Sequence, residues 1–107
     1  MQIHIIKTPI FVKLSKDILS SEEMETFQKD LAANPEKGTV IKGSKGLRKI
    51  RVAISGKGKS GGARIIYYLK KSDRVILLLY IYKKNVQADL TKKQTETLIK
   101  LVEEYYG

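Results

Sequence analysis

Hydrophobic positions along the chain fall into blocks with two different periods. Residues 1–6 alternate weakly between apolar and polar, which predicts a short strand. Thr8-Pro9 has the form of a helix start, with Thr8 as N-cap, Pro9 at the first helical position, and Phe11, Leu14 and Ile18 following at helical spacing. Ser20 with Glu23 three residues on is a capping box, and Met24, Phe27 and Leu31 give the helix behind it an apolar face. Asn34-Pro35 stops that helix, because the residue before a proline avoids the helical region. From Gly38 the period shortens. Gly38, Gly43 and Gly46 punctuate a loop with room for a short edge strand over residues 39–41. Ile50, Val52 and Ile54 then alternate with Lys49, Arg51 and Ala53, so one face of that strand is apolar and the other basic. Residues 63–69 form the next strand, and Lys71-Ser72-Asp73 a turn. Residues 75–82 are a continuous apolar run, as expected of a strand buried on both faces near the sheet centre. Thr91 and Gln94 repeat the capping-box spacing, and Leu98, Leu101, Val102 and Tyr105 mark the core face of a last helix. The pattern predicts an α+β domain: an N-terminal strand and two helices, an antiparallel sheet of three to four strands, and a C-terminal helix. Residues 1–107 read as a single domain with no internal repeat or linker.

Charge changes the picture. The chain carries 21 Lys and Arg against 11 Asp and Glu, a net charge of +10 on 107 residues, which points to a polyanionic partner. There is no cysteine, which excludes disulfides, thiolate catalysis and thiolate-bound zinc, and fits a reducing cytoplasm. The one histidine, His4, lies in an alternating segment and is expected to be structural, so no metal site and no cofactor are expected. No signal peptide is visible, and no apolar run approaches the roughly 20 residues of a membrane span.

The cations gather in the stretch from Leu47 to Tyr68, where Arg48, Lys49, Arg51, Lys57, Lys59 and Arg64 surround a Gly-Lys-Ser loop. That loop nearly fits a phosphate-binding loop at Gly58, Lys59 and Ser60. Ala53 stands where its first glycine belongs, and a strand follows instead of a helix, so no nucleoside triphosphate site is expected. Lys57 and Lys59 suit a mobile clamp on single-stranded RNA, and equally a solvated hairpin tip. Arg64 enters an apolar strand and needs a polar target, for which a bidentate grip on a phosphate is the obvious use. Lys49 and Arg51 repel each other on one sheet face unless an anion offsets them, and Lys83 and Lys84 can join them from the end of the apolar strand. Of the strand tyrosines, Tyr82 beside those lysines is the one expected to be exposed, for stacking on a base or for proton transfer.

At these residues the sequence resembles the RelE/HigB toxins of bacterial type II toxin–antitoxin systems, in the HigB-like branch of the RelE/ParE superfamily. The blocks GLRKIR, GGARIIYY and IYKKNVQADLT carry the resemblance, in that order, within a likeness that spans nearly the whole chain. It implies a ribosome-dependent endoribonuclease, an mRNA interferase that cuts translated mRNA in the ribosomal A site without a metal. It also implies a cognate antitoxin with a helix-turn-helix DNA-binding part, which neutralises the toxin and carries it to operator DNA. By position, Lys49 and Arg51 match the family's strand cations, Arg64 its phosphate-gripping arginine, and Lys84 a basic residue after the last strand. Leu90 stands where the family's tyrosine falls, and Tyr82 is the candidate substitute.

Such chemistry uses the 2′-OH as nucleophile. Arg64 would stabilise charge on the phosphorane-like transition state. Crowding among Lys49, Arg51 and Lys84 would favour a neutral lysine as base, and Tyr82 or a lysine would be the acid. Arg48, Lys57, Lys59 and Lys83 would bind the nucleic acid. Two alternatives stand beside this reading: a non-nuclease toxin of ParE type acting on DNA gyrase, and a non-catalytic RNA- or ribosome-binding module.

Overall fold

The computed structural model describes residues 2–54 and 62–106. Five strands, β1 (His4–Lys7), β2 (Thr39–Val40), β3 (Leu47–Val52), β4 (Ala63–Lys70) and β5 (Val75–Lys83), form one sheet in the order β1-β5-β4-β3-β2. Helices α1 (Pro9–Ser15) and α2 (Ser21–Ala33) pack on one face, and α3 (Lys92–Tyr106) on the other. β2 to β5 are joined antiparallel, as the alternation predicts. β1 is an addition to that expectation: it pairs parallel with β5, His4 opposite Val75, which makes the sheet mixed and moves its centre to β4.

The helix starts form where their caps stand. Thr8 is fully buried; its Oγ1 accepts from the Phe11 amide at 3.4 Å and donates to the Leu78 carbonyl at 2.9 Å, tying α1 to β5. The Ser20–Glu23 capping box is complete, with Glu23 N–H donating to Ser20 Oγ at 3.0 Å and Ser20 N–H to Glu23 Oε1 at 2.8 Å. α1 is shorter than its apolar spacing suggests, so Ile18 reaches the core from the turn that follows it.

Two apolar clusters sandwich the sheet. Phe11, Phe27, Leu31, Ile50, Ile65, Tyr67, Ile76, Leu78 and Ile81 fill the α1/α2 side. Leu47, Ile66, Leu77, Leu79, Tyr82 and Leu98 fill the α3 side. Strand β5 changes parity on the way. Tyr67 pairs with Leu78 but Ile66 with Tyr80, so Leu79 is an extra residue, and Leu79 and Tyr80 both face α3. A bulge of this kind re-aims every side chain beyond it. Without it, Tyr80 and Tyr82 would point at α1 and α2. On α3 only Leu98 is buried; Tyr105, expected on the core face, is 43% exposed, and Tyr106 instead packs on Tyr68.

The segment before β2 is clamped from below. The Tyr67 hydroxyl donates to the Pro35 carbonyl and accepts from the Gly38 amide, both at 2.8 Å. Any Cβ at Gly38 would lie 2.7 Å from the Tyr67 ring, so the residue there has to be glycine.

Candidate active site

The site is built from register. Arg51 on β3 lies opposite Arg64 on β4, and Arg64 lies opposite Tyr82 on β5. One step along, Lys49, Ile66 and Tyr80 form a second row. Both rows face the α3 side of the sheet, and Tyr80 of the second row meets Gln94 in the first turn of that helix. Directly opposed residues sit with Cβ atoms about 5 Å apart, and like charges placed so are destabilising unless an anion offsets them. Gly62 immediately precedes β4 with φ +60, and a Cβ there would run into the Val52 carbonyl oxygen. This tight start sets Ala63 and Arg64 in register, and the Gly62 carbonyl accepts from the Lys84 amide at 3.0 Å, which holds Lys84 at the same end of the sheet.

Arg64 is 7% exposed, so the guanidinium is seated within the sheet face instead of waving in solvent. Its Nη1 donates to the Ala63 carbonyl at 3.3 Å. Tyr82 is 4% exposed, and its hydroxyl is buried without a hydrogen-bond partner among the described residues. The expectation of an exposed, stacking Tyr82 is therefore corrected: the bulge turns it under the patch, where the α3-side cluster covers it. Burial pushes its hydroxyl above the usual tyrosine range, the Asp89 charge adds to that, and Arg64 opposes it.

Asp89 was not singled out from the sequence, which showed no carboxylate at the site. Its Oδ1 accepts from Lys49 Nζ at 2.8 Å. That hydrogen bond and the Lys49 charge hold the Asp89 carboxyl below its usual range, with Lys84 and Arg64 adding to the effect. Asp89 thus offsets the crowding of cations expected from the sequence. The signal was present: Asp89 is an acid flanked by Lys83-Lys84 on one side and Lys92-Lys93 on the other, two residues before a helix cap.

The structure thus brings Lys49, Arg51, Arg64 and Tyr82 onto one face, with Lys84 at its edge and Asp89 over it. It does not bring Arg48 there. Arg48 faces the α1/α2 side, where its Nη1 donates to the Glu36 and Gly38 carbonyls at 3.1 and 2.8 Å. Lys83 is opposite Ala63, a residue of the α1/α2 cluster, and so shares that face. Lys57 and Lys59, with the near-match to a phosphate-binding loop, lie outside the described residues. Among the described residues no three of His, Cys, Asp and Glu gather as metal ligands would, and no helix is long and apolar enough to cross a membrane.

A small α+β domain with one cationic sheet face beside its C-terminal helix is the class these features define. Comparison with known proteins makes it specific: the model of the RelE toxin of the RelE/RelB toxin–antitoxin system matches residues 3–107, and the chain belongs to that RelE toxin family. The match is to the family as a whole and is compatible with the HigB-like branch. A double arginine-to-alanine mutant of the E. coli toxin RelE, solved in the free state, has a similar fold, with a TM-score of 0.59 and 17% identity over 82% of this chain and 90% of that one.

Proposed function

We propose that this protein is a ribosome-dependent mRNA endonuclease, the toxin of a toxin–antitoxin pair, and that it cuts by attack of a ribose 2′-OH on the adjacent phosphate. The observation that carries this reading is the facing pair Arg51 and Arg64, with a buried Tyr82 hydroxyl in the same row that has no hydrogen-bond partner among the described residues. Two opposed guanidinium groups suit the two non-bridging oxygens of one phosphate. They would be worth most where negative charge grows in the transition state.

The step forms a bond from the 2′ oxygen to phosphorus and breaks the bond to the 5′ oxygen. It leaves a 2′,3′-cyclic phosphate and a 5′-hydroxyl. The 2′ proton goes to the Lys49–Asp89 pair, and the leaving oxygen takes a proton from the Tyr82 hydroxyl, which its raised position keeps protonated at neutral pH. RNA approaches that hydroxyl past the exposed Arg51 and Lys84, with Asp89 left in place against Lys49. A carboxylate held below its usual range is a weak base, so cleavage of free RNA is slow. The ribosome supplies in-line alignment, which can contribute several kcal/mol. Lys84 binds the neighbouring phosphate.

A cognate antitoxin is the second partner. An acidic segment suits a chain of net charge +10, and operator DNA is reached only through the antitoxin. The test is growth arrest on induction in bacteria, with Arg64→Gln and Arg51→Ala as variants and circular dichroism to confirm that each folds. Arrest by the wild type, lost in both folded variants, supports the reading. Arrest that persists in them, together with inhibited DNA supercoiling by the purified protein, would replace it with action on gyrase.

A further inference from the structure

The capping box that opens α3 has more bonds than a cap needs. Gln94 Oε1 accepts from the Thr91 amide at 2.9 Å, and Thr91 Oγ1 accepts from the Gln94 amide at 3.0 Å; these close the box. The same Oε1 also accepts from Gln87 Nε2 at 2.7 Å, and Gln94 Nε2 donates to the Tyr80 hydroxyl at 3.1 Å. Gln87 Nε2 in turn donates to the Asp89 carbonyl at 2.8 Å. Asp89 Oδ1 ends the chain on Lys49. A line of hydrogen bonds therefore runs from the sheet at Tyr80, through the helix cap, to the backbone of Asp89 and on to Lys49.

Tyr80 and Lys49 belong to the same row of the sheet, both opposite Ile66. The network thus leaves the row at one side chain and returns to it at another, closing a loop over the site. Asp89 itself is exposed and lies in a segment with little apolar burial, where Val86 is 77% exposed. Leu90 beside it packs on the α3-side cluster, and these hydrogen bonds hold the Asp89 carbonyl in addition. An ordered carboxylate in turn limits where the four-carbon stem of Lys49 can carry its ammonium group.

We infer that Gln87 and Gln94 are positioning residues, which hold Asp89 against Lys49 and so set the geometry of the basic site. The inference rests on the nuclease reading for its consequence in cleavage but not for its structural half. Gln94 can be replaced by Glu without loss, since a carboxylate accepts the same two bonds and the Tyr80 hydroxyl can turn to donate.

The experiment compares four single variants of the full chain. Gln87→Ala keeps the helix cap and cuts the link to Asp89. Thr91→Ala weakens the cap and keeps the link. Gln94→Leu cuts both, and Gln94→Glu restores both. Carboxyl carbon NMR follows the titration of Asp89, and steady-state cleavage of a translated mRNA gives kcat and KM. The expected result is that Gln87→Ala and Gln94→Leu move the Asp89 titration up toward the ordinary carboxylate range. They should lower kcat by about 10- to 100-fold, as misplacement of a reacting group does, with KM unchanged. Thr91→Ala should leave both readouts as in the wild type and lower only the melting temperature, and Gln94→Glu should keep the wild-type kcat, with its added charge moving the Asp89 titration slightly up. An Asp89 titration unmoved by Gln87→Ala and Gln94→Leu overturns the inference. So does a titration that moves with no change in kcat, and so does equal loss in Thr91→Ala. If the wild type itself cuts nothing, the nuclease reading fails, and the titration alone decides whether the network holds Asp89.

Discussion

Two tyrosines on neighbouring strands should respond in opposite directions to the same loss of one oxygen atom. Tyr82 has a buried hydroxyl with no hydrogen-bond partner among the described residues, so the folded state carries its desolvation cost without a return. Removing an unsatisfied buried polar group relieves roughly 1–3 kcal/mol, and the ring stays in the α3-side cluster beside the Tyr80 ring, centroids 6.0 Å apart. Tyr82→Phe should therefore gain about 1 kcal/mol, or about 4 °C in melting temperature for a domain of this size. Tyr67 is the control. Its hydroxyl makes two hydrogen bonds of 2.8 Å, to the Pro35 carbonyl and from the Gly38 amide. Tyr67→Phe loses both, at about 1 kcal/mol each, and leaves the buried Gly38 amide unpaired, for a total cost of about 2–4 kcal/mol. Thermal and urea unfolding by far-ultraviolet circular dichroism separates a gain from a loss of that size. Equal destabilisation of the two variants would mean that the Tyr82 hydroxyl is as well satisfied as that of Tyr67, contrary to its burial without a partner among the described residues. In the nuclease reading Tyr82→Phe also lowers cleavage by about 100-fold or more, the usual contribution of a positioned acid, which gives a more stable and less active protein.

Gly38→Ala should destabilise by about 1–3 kcal/mol, measured by urea unfolding, since its Cβ would meet the buried Tyr67 ring at 2.7 Å and hydroxyl at 2.8 Å. Arg48→Ala should lower stability by about 1–2 kcal/mol and leave affinity for a single-stranded RNA oligonucleotide unchanged. Arg51→Ala should do the reverse, with stability within about 0.5 kcal/mol by urea unfolding and the salt slope of binding reduced by about 1 by fluorescence anisotropy. In alkali, burial raises the hydroxyls of Tyr67 and Tyr82 above their unfolded value of about 10. Their contribution is complete below that value and is lost as the pH climbs through the higher folded one. Melting temperature should thus fall above about pH 10, less steeply in Tyr82→Phe.

Much of the fold is legible because its signals are local. The Thr8 and Ser20 caps, the Asn34-Pro35 stop and the Lys49/Arg51 alternation depend on neighbours within a turn or a strand, and all reappear in the structure. What was not legible depends on long-range pairing. Nothing local in residues 4–7 shows that they add to β5 in parallel. The apolar run over residues 75–82 hides its bulge, since the residues on both of its faces are hydrophobic, and the bulge alone decides that Tyr82 joins Arg64. Arg48 is different: it shares parity with Ile50 and Val52, so its place on the apolar face could be read from the alternation that placed Lys49 and Arg51. Asp89 was hidden by its position in a loop, where only the folded backbone brings it to Lys49, a residue 40 positions away.

The most direct measurement is primer extension on a reporter mRNA in a bacterial translation extract, with wild-type protein and with folded Arg64→Gln. The wild type should cut within translated codons and make no cuts when initiation is blocked, and the variant should lose the cutting. Intact mRNA in the presence of folded wild-type protein, or undiminished cutting by Arg64→Gln, would contradict the proposed mechanism.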